Sequence, residues 1–219
     1  PALIIGVRQC GKTASIMNFG KSYYKNIIYI NFWTNPEYSS AFDSDLSVPT
    51  IISNISIKFP DIIINPKNTL IVFDEARLSL KSFALDGKYD VIGSGSYIGI
   101  NGYVIGDATP VPTGYEDIFQ MKTMDFEEFL WANGYKDKHI DMLLKYFNKK
   151  TPVPNSTHTL FKKLFNQYLC IGGFPKAVSA FIVNHNIMDG VRVVQNTLFD
   201  MKGDFGRRVD KNGEPVFKT

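Results

Sequence analysis

Short apolar runs alternate with amphipathic stretches over the first two thirds of the chain. Runs rich in β-branched and aromatic residues predict strands at 2–5, 26–32, 70–73 and 89–92, and a less regular run predicts a fifth at 117–124. Helical spacing follows the first strand from residue 14, and a mixed helical region is expected over 37–59. Strands that alternate with helices predict an α/β fold, in which a parallel sheet carries helices on both faces.

The pattern changes after Met124, where only helical spacing is found. Asp125 and Glu128 predict a capping box at the start of a helix, because each side chain can accept the other residue's backbone N–H. Apolar positions recur at helical spacing over 160–171, and further helices are expected over 175–183 and 188–201. A Gly- and Pro-rich section, 99–114, predicts a long loop between the fourth and fifth strands.

Composition narrows the class of protein. Among 219 residues, 44% are hydrophobic and 21% are charged, which is ordinary for a soluble globular protein, and no apolar run approaches the roughly 20 residues of a membrane span. The net charge of +3 is too small to indicate nucleic-acid binding by itself. The two cysteines, Cys10 and Cys170, exclude a disulfide framework, so we expect a cytoplasmic protein. The lack of a long apolar run predicts that the protein has no membrane partner.

Residues 6–13, G-V-R-Q-C-G-K-T, form a complete G-x-x-x-x-G-K-[ST] phosphate-binding loop between the first strand and a helix. In this position backbone N–H groups and the positive end of the helix dipole face a polyphosphate. We expect Lys12 to reach the β- and γ-phosphates of ATP or ADP, and the Thr13 hydroxyl to hold Mg²⁺. The predicted nucleotide-binding residues of this segment are Gly6, Arg8, Gln9, Cys10, Gly11, Lys12, Thr13 and Ala14.

Two carboxylates, Asp74 and Glu75, follow the third predicted strand. Ligands of parallel sheets gather at the carboxyl ends of the strands. Asp74 is therefore expected to anchor Mg²⁺ through its hydration shell, and Glu75 to polarise the attacking water. The alternative is a solvated acidic pair at the start of a loop.

The fourth strand ends in small polar residues, where the Ser96 hydroxyl could sense the γ-phosphate or position the water; a Gly/Ser turn without a role is the alternative. The expected catalytic residues are thus Lys12, Glu75 and Ser96. Arg207 and Arg208 fit a solvated basic surface better than a catalytic arginine. The lysines at 145, 149, 150, 162 and 163 fit solvated helix faces, with weak nucleic-acid contact as the alternative. No catalytic or metal-binding role is assigned to the three histidines.

Taken together, these motifs resemble those of a bacterial and archaeal AAA-type ATPase family, a branch of the AAA+ superfamily. The loop is similar to that family's G-x-R-Q-x-G-K-T, and D-V-I-G-S-G-S at 90–96 is similar to its sensor strand. The segments at 115–118 and 124–130 resemble its next strand and its "L-x-P-L-S-F-x-E-F-L" segment. The stretch 168–178, Y-L-C-I-G-G-F-P-K-A-V, resembles its Y-L-x-x-G-G-F-P-x-A-V signature.

The resemblance implies an AAA+-type P-loop ATPase core over 1–134 and a small helical, winged-helix-like lid over 135–205. It also implies a linker, 206–219, to a nuclease-like domain of the PD-(D/E)xK type as a partner domain in a longer chain. Both ends of the sequence look cut, and family residues usually found after Glu75 are absent. Gly173 and Pro175 of the lid turn are expected to touch the nucleotide; a simple interhelical turn is the alternative.

The leading functional hypothesis is Mg²⁺-dependent ATP hydrolysis coupled to movement of the lid or of an attached domain. The alternative is a nucleotide-dependent switch or scaffold with slow turnover that regulates an attached domain or a partner, DNA-associated partners included. A phosphate-loop kinase is disfavoured, because Asp74 and Glu75 resemble an ATPase water site. The sequence leaves the oligomeric state open.

Overall fold

A computed structural model of the chain describes residues 1–32, 34–35, 37–38, 42, 46–74, 80–96 and 115–206. Within these residues the chain divides into two compact units, Pro1–Met121 and 122–206. Glu75, the Gly- and Pro-rich section 99–114, Arg207 and Arg208 lie outside the described residues. The domain limits expected from the sequence, at 134 and 205, stay predictions.

The first unit contains a parallel five-stranded sheet, as expected. Its strands are β1 (Ala2–Gly6), β2 (Asn26–Asn31), β3 (Thr69–Asp74), β4 (Asp90–Ser96) and β5 (Asp117–Met121), in the order β2-β3-β4-β1-β5. Every strand pair is parallel. The fifth strand ends at Met121, three residues before the predicted end. All six residues of β3 are buried, because β2 and β4 flank the strand and both of its faces are covered.

Helices pack on both faces of this sheet. The described helices of the unit are α1 (Lys12–Tyr23), α2 (Val48–Lys58) and α3 (Lys81–Asp86). Alternate residues of β3 face opposite sides: Leu70 and Val72 pack with Ile16 of α1, whereas Ile71 and Phe73 pack with residues of α2 and α3. Burial of each such aliphatic side chain contributes about 1.5–3 kcal/mol.

Helix α2 is shorter than the helical region expected over 37–59. Among the described residues of that region, the α-helix begins at Val48. Pro49 lies in its first turn, where a missing backbone N–H breaks no intrahelical hydrogen bond. The helix thus begins where the sequence offers a proline that fits only its first turn.

The second unit is helical throughout its described elements. These are α4 (Phe126–Ala132), α5 (Asp137–Asn148), α6 (Asn155–Ile171), α7 (Pro175–Asn184) and α8 (Ile187–Gly206). The predicted capping box is confirmed: Glu128 N donates to Asp125 Oδ1 and Asp125 N donates to Glu128 Oε2, both over 2.9 Å. Buried residues of α4, α6 and α7 form its core, namely Phe129, Ile171, Ala177, Val178 and Phe181.

None of the described helices has the length and apolar character needed to cross a bilayer.

Candidate functional site

The glycine-rich loop joins the carboxyl end of β1 to the first turn of α1. Its two motif glycines are needed for different reasons. A Cβ at Gly6 would lie 2.3 Å from the Met121 carbonyl oxygen of the neighbouring β5, so no larger residue fits. Gly11 has φ 102°, in the left-handed region that favours glycine, and is the N-cap of α1. As a glycine it offers no side-chain acceptor, which leaves the first N–H groups of α1 for a ligand.

Gln9 and Cys10 complete the curve of the loop. Gln9 has φ 63°, a conformation that costs a non-glycine residue energy and is concentrated at functional sites. Cys10 is 1% exposed, and its Sγ lies 3.8 Å from the Met121 carbonyl oxygen. A small side chain fits this space between the loop and β5, which agrees with a packing role. Arg8 and Ala14 are exposed at either end of the curve.

Lys12 points back into the loop. Its Nζ donates to the carbonyl oxygens of Gly6, over 3.0 Å, and Val7, over 2.8 Å, and the residue is only 8% exposed. The loop therefore surrounds the ammonium group with its own backbone. A phosphate oxygen that enters the loop can replace these carbonyls as acceptor, and hydrogen bonds between charged partners are the stronger kind.

Asp74, at the carboxyl end of β3, is the centre of a polar cluster and is 7% exposed. Thr13 Oγ1 and Asn31 Nδ2 each donate to its Oδ2 over 3.3 Å, and the Tyr29 hydroxyl donates to the same oxygen. The Ser94 hydroxyl donates to Oδ1. We name Thr13, Tyr29, Asn31, Asp74 and Ser94 the Asp74 cluster.

The Asp74 cluster brings together two residues predicted to bind metal, Thr13 and Asp74. A hydroxyl and a carboxylate are oxygen ligands of the kind that Mg²⁺ prefers, and Mg²⁺ usually keeps several waters and takes phosphate oxygens besides. These donors fit that ion. Among the residues that the structure describes, no group of three or more His, Cys, Asp and Glu side chains forms a metal cage of protein ligands alone.

Sequence reasoning missed three members of the Asp74 cluster, on the strands that flank β3. Asn31 of β2 and Ser94 of β4 are both level with Asp74 in the parallel register, and Tyr29 lies two residues before Asn31. Polar residues at the ends of neighbouring strands were the available signal. Burial raises the pKa of Tyr29 above its ordinary value of 10.0, and its hydrogen bond to Asp74 raises it further, so its hydroxyl stays a donor at neutral pH.

Ser96 lies two residues after Ser94 and is the last residue of β4. It is 3% exposed and is level with Gly6 of β1, beside the start of the loop. The β4 hydroxyl that donates to Asp74 belongs to Ser94. A role for Ser96 at the γ-phosphate therefore stays a prediction, as does that of Glu75, which lies outside the described residues.

Gly173 and Pro175 have clear roles within the helical unit. Met124 N donates to the Gly173 carbonyl oxygen over 2.8 Å, and a Cβ at Gly173 would lie 1.9 Å from the Met124 carbonyl oxygen. Tyr168 donates to that same oxygen of Met124 over 3.1 Å. Pro175 occupies the first turn of α7. These contacts explain the turn without a ligand, so its contact with nucleotide stays a prediction.

Comparison with known proteins gives one family. Residues 1–130 match a family described as AAA domain, and this range includes the loop, all five strands and every member of the Asp74 cluster. No curated protein matches the chain.

Proposed function

We propose an ATPase function for this chain, which belongs to the AAA domain family, a family of P-loop ATPases. The family match, over more than half of the chain, supports a nucleotide-binding ATPase domain. Beyond it, we propose that residues 6–14 bind ATP or ADP, that Thr13 and Asp74 hold Mg²⁺, and that the chain hydrolyses ATP. The observation that carries the proposal is the contact of the Thr13 hydroxyl with Asp74; Thr13 comes directly after Lys12 in the sequence, whose ammonium lies within the loop.

In the proposed reaction, the nucleotide binds to the loop before ATP is hydrolysed. Lys12 exchanges the carbonyl oxygens of Gly6 and Val7 for phosphate oxygens, and the N–H groups at the start of α1 bind the same phosphates. Each hydrogen bond that involves a charged group is worth about 1.5–3 kcal/mol. Mg²⁺ would supply neutralisation of the charge that develops on the phosphates.

Orientation of the attacking water is assigned to Glu75, the residue after Asp74. Glu75 directly follows the end of β3, and we propose that it orients the attacking water in line with the leaving group. Ser96, at the end of β4, is proposed to sense the γ-phosphate. Coupling of hydrolysis to movement of the helical unit, with Gly173 and Pro175 near the nucleotide, is part of the same proposal.

Single-turnover hydrolysis of ATP with Mg²⁺ tests this function. Glu75→Gln should keep wild-type affinity for ATP and lose about 100-fold or more of the rate, because general-base assistance contributes about 10²–10⁴-fold. Glu127→Gln is the matched control, since Glu127 is exposed in α4. A Glu75→Gln variant that hydrolyses ATP at the wild-type rate would overturn the assignment. A wild-type chain that binds ATP tightly and does not turn over would favour the nucleotide-dependent switch.

A further inference from the structure

The Tyr29 side chain joins the apolar core of the first unit to the Asp74 cluster. Its ring packs against the buried cluster of Ile16, Leu70, Val72 and Ile92, on the α1 side of the sheet. Its hydroxyl donates to Asp74 Oδ2, the same oxygen to which the Thr13 hydroxyl donates. Tyr29 therefore contacts the acid that we assign to Mg²⁺, at the oxygen that the Thr13 hydroxyl also contacts.

Strand register explains how the ring reaches this position. Tyr29 is level with Val72, and Asn31 is level with Asp74. Residues two apart in a strand share a face, so Tyr29 and Asn31 point to the same side of β2. The Asn31 amide donates to the Tyr29 hydroxyl over 3.2 Å and to Asp74 Oδ2 over 3.3 Å. Packing of the Tyr29 ring and the hydrogen bond from the Asn31 amide thus fix the position of the hydroxyl.

The two oxygens of Asp74 have different partners. Oδ1 accepts from Ser94 of β4, whereas Oδ2 accepts from Tyr29 and Thr13. Donors on both oxygens restrict rotation of the carboxylate and keep Oδ2 toward Thr13. Groups that hydrogen-bond to a metal ligand orient it, and their loss typically lowers metal affinity by about 10- to 100-fold.

We propose that Tyr29 is a positioning residue for the Mg²⁺-nucleotide complex: its hydroxyl holds the Asp74 carboxylate in the orientation that binds the hydrated ion. The proposal rests on the proposed function, since it assigns to Tyr29 the orientation of the metal-binding acid. In this proposal Tyr29 acts through Asp74 and not on phosphate. Its removal should therefore weaken the contribution of Mg²⁺ to nucleotide binding and leave metal-free binding unchanged.

Tyr29→Phe tests this role, because it removes one oxygen and keeps the packed ring. Affinity for ADP is measured by calorimetry in EDTA and across a Mg²⁺ series. We expect affinity in EDTA to stay within about twofold of wild type, and the Mg²⁺ concentration that gives half of the tightening to rise about tenfold. Ser94→Ala, which removes the donor to Oδ1, should shift the midpoint in the same direction. Tyr23→Phe, at a tyrosine that is 74% exposed, is the control and should leave the midpoint unchanged.

The outcomes separate the two proposals. If the wild-type chain tightens on ADP with Mg²⁺ and Tyr29→Phe has the same midpoint, Tyr29 only packs the core and the inference is wrong. A Tyr29→Phe variant that loses affinity equally in EDTA and in Mg²⁺ also contradicts it, because that result reports damage to the loop. If the folded wild-type chain binds no nucleotide under either condition, the proposed function itself is wrong.

Discussion

Thr13 Oγ1 lies 3.3 Å from Asp74 Oδ2, although 61 positions separate the two residues in the chain. Thr13 is in the first turn of α1, which follows β1, and Asp74 ends β3. The strands β1 and β3 end at the same edge of the sheet, because all the strands are parallel, and only β4 lies between them. The sheet topology thus brings a hydroxyl from the loop and a buried carboxylate together.

Thr13→Ala should weaken the Mg²⁺-dependent part of nucleotide binding by about 10- to 100-fold, because it removes one of two proposed metal-binding oxygens. Thr13 is exposed, so the fold should be retained. Nucleotide titrations at fixed Mg²⁺ and in EDTA measure the effect. Ser15→Ala, at an exposed hydroxyl two residues further along α1, is the control. Equal losses in the two variants would contradict a specific role for Thr13.

Gly173→Ala should destabilise the helical unit. A Cβ at this position would lie 1.9 Å from the Met124 carbonyl oxygen, an atom of the backbone that cannot move aside cheaply. Overpacking of this kind costs about 1–3 kcal/mol, or more where backbone must shift. Chemical denaturation followed by circular dichroism measures the change in the free energy of unfolding.

Gly203→Ala is the matched control for Gly173→Ala. Gly203 lies within α8, and a Cβ there would meet no heavy atom within 4 Å. Alanine should therefore leave the stability unchanged or raise it by about 0.5–1 kcal/mol, since glycine is the poorer helix former. A Gly173→Ala variant as stable as Gly203→Ala would show that the close contact with Met124 is wrong.

Tyr24→Phe should change how steeply the stability of the protein falls with pH above pH 10. Burial raises the pKa of Tyr24 above 10.0, and the charge of Asp90 and a hydrogen bond to it raise the pKa further. The protonated form is favoured in the folded state, so this stabilisation is complete below pH 10 and is lost as the pH rises through the raised value. Above pH 10 the free energy of unfolding of Tyr24→Phe should therefore fall less steeply than that of wild type.

Denaturation across pH 8–12 would test the Tyr24 prediction, with about one measurement per pH unit being enough to separate the slopes. Tyr23→Phe, at the exposed neighbour, should follow the wild-type slope. Identical slopes for wild type and Tyr24→Phe would show that Tyr24 does not titrate differently in the folded and unfolded states.

The sequence predicted the features of this chain that depend on neighbours along it. The strands were found because buried parallel strands are continuous apolar runs, as β3 is. The capping box of Asp125 and Glu128 was found because its two residues are only three positions apart. The phosphate loop was found because its motif occupies consecutive positions.

Features that depend on register between strands were missed. Sequence reasoning named Ser96 at the tip of β4, whose role at the γ-phosphate stays a prediction, and missed Ser94, which parallel pairing puts level with Asp74. Tyr29 and Asn31 were missed for the same reason, since nothing local to β2 shows that β3 is its neighbour. The motif at Gly173 was found, but its contact with the Met124 backbone required the packing of α6 and α7 to be known.

Calorimetric titration of the folded chain with ATP and Mg²⁺ tests the central claim most directly, with Lys12→Ala compared against Lys21→Ala. Lys21 is exposed in the last turn of the same helix, so its loss should leave affinity unchanged. We predict saturable binding to wild type and a loss of about 10- to 100-fold or more in Lys12→Ala, from charged hydrogen bonds of about 1.5–3 kcal/mol. Absence of binding to folded wild type, or wild-type affinity in Lys12→Ala, would contradict nucleotide binding at residues 6–14.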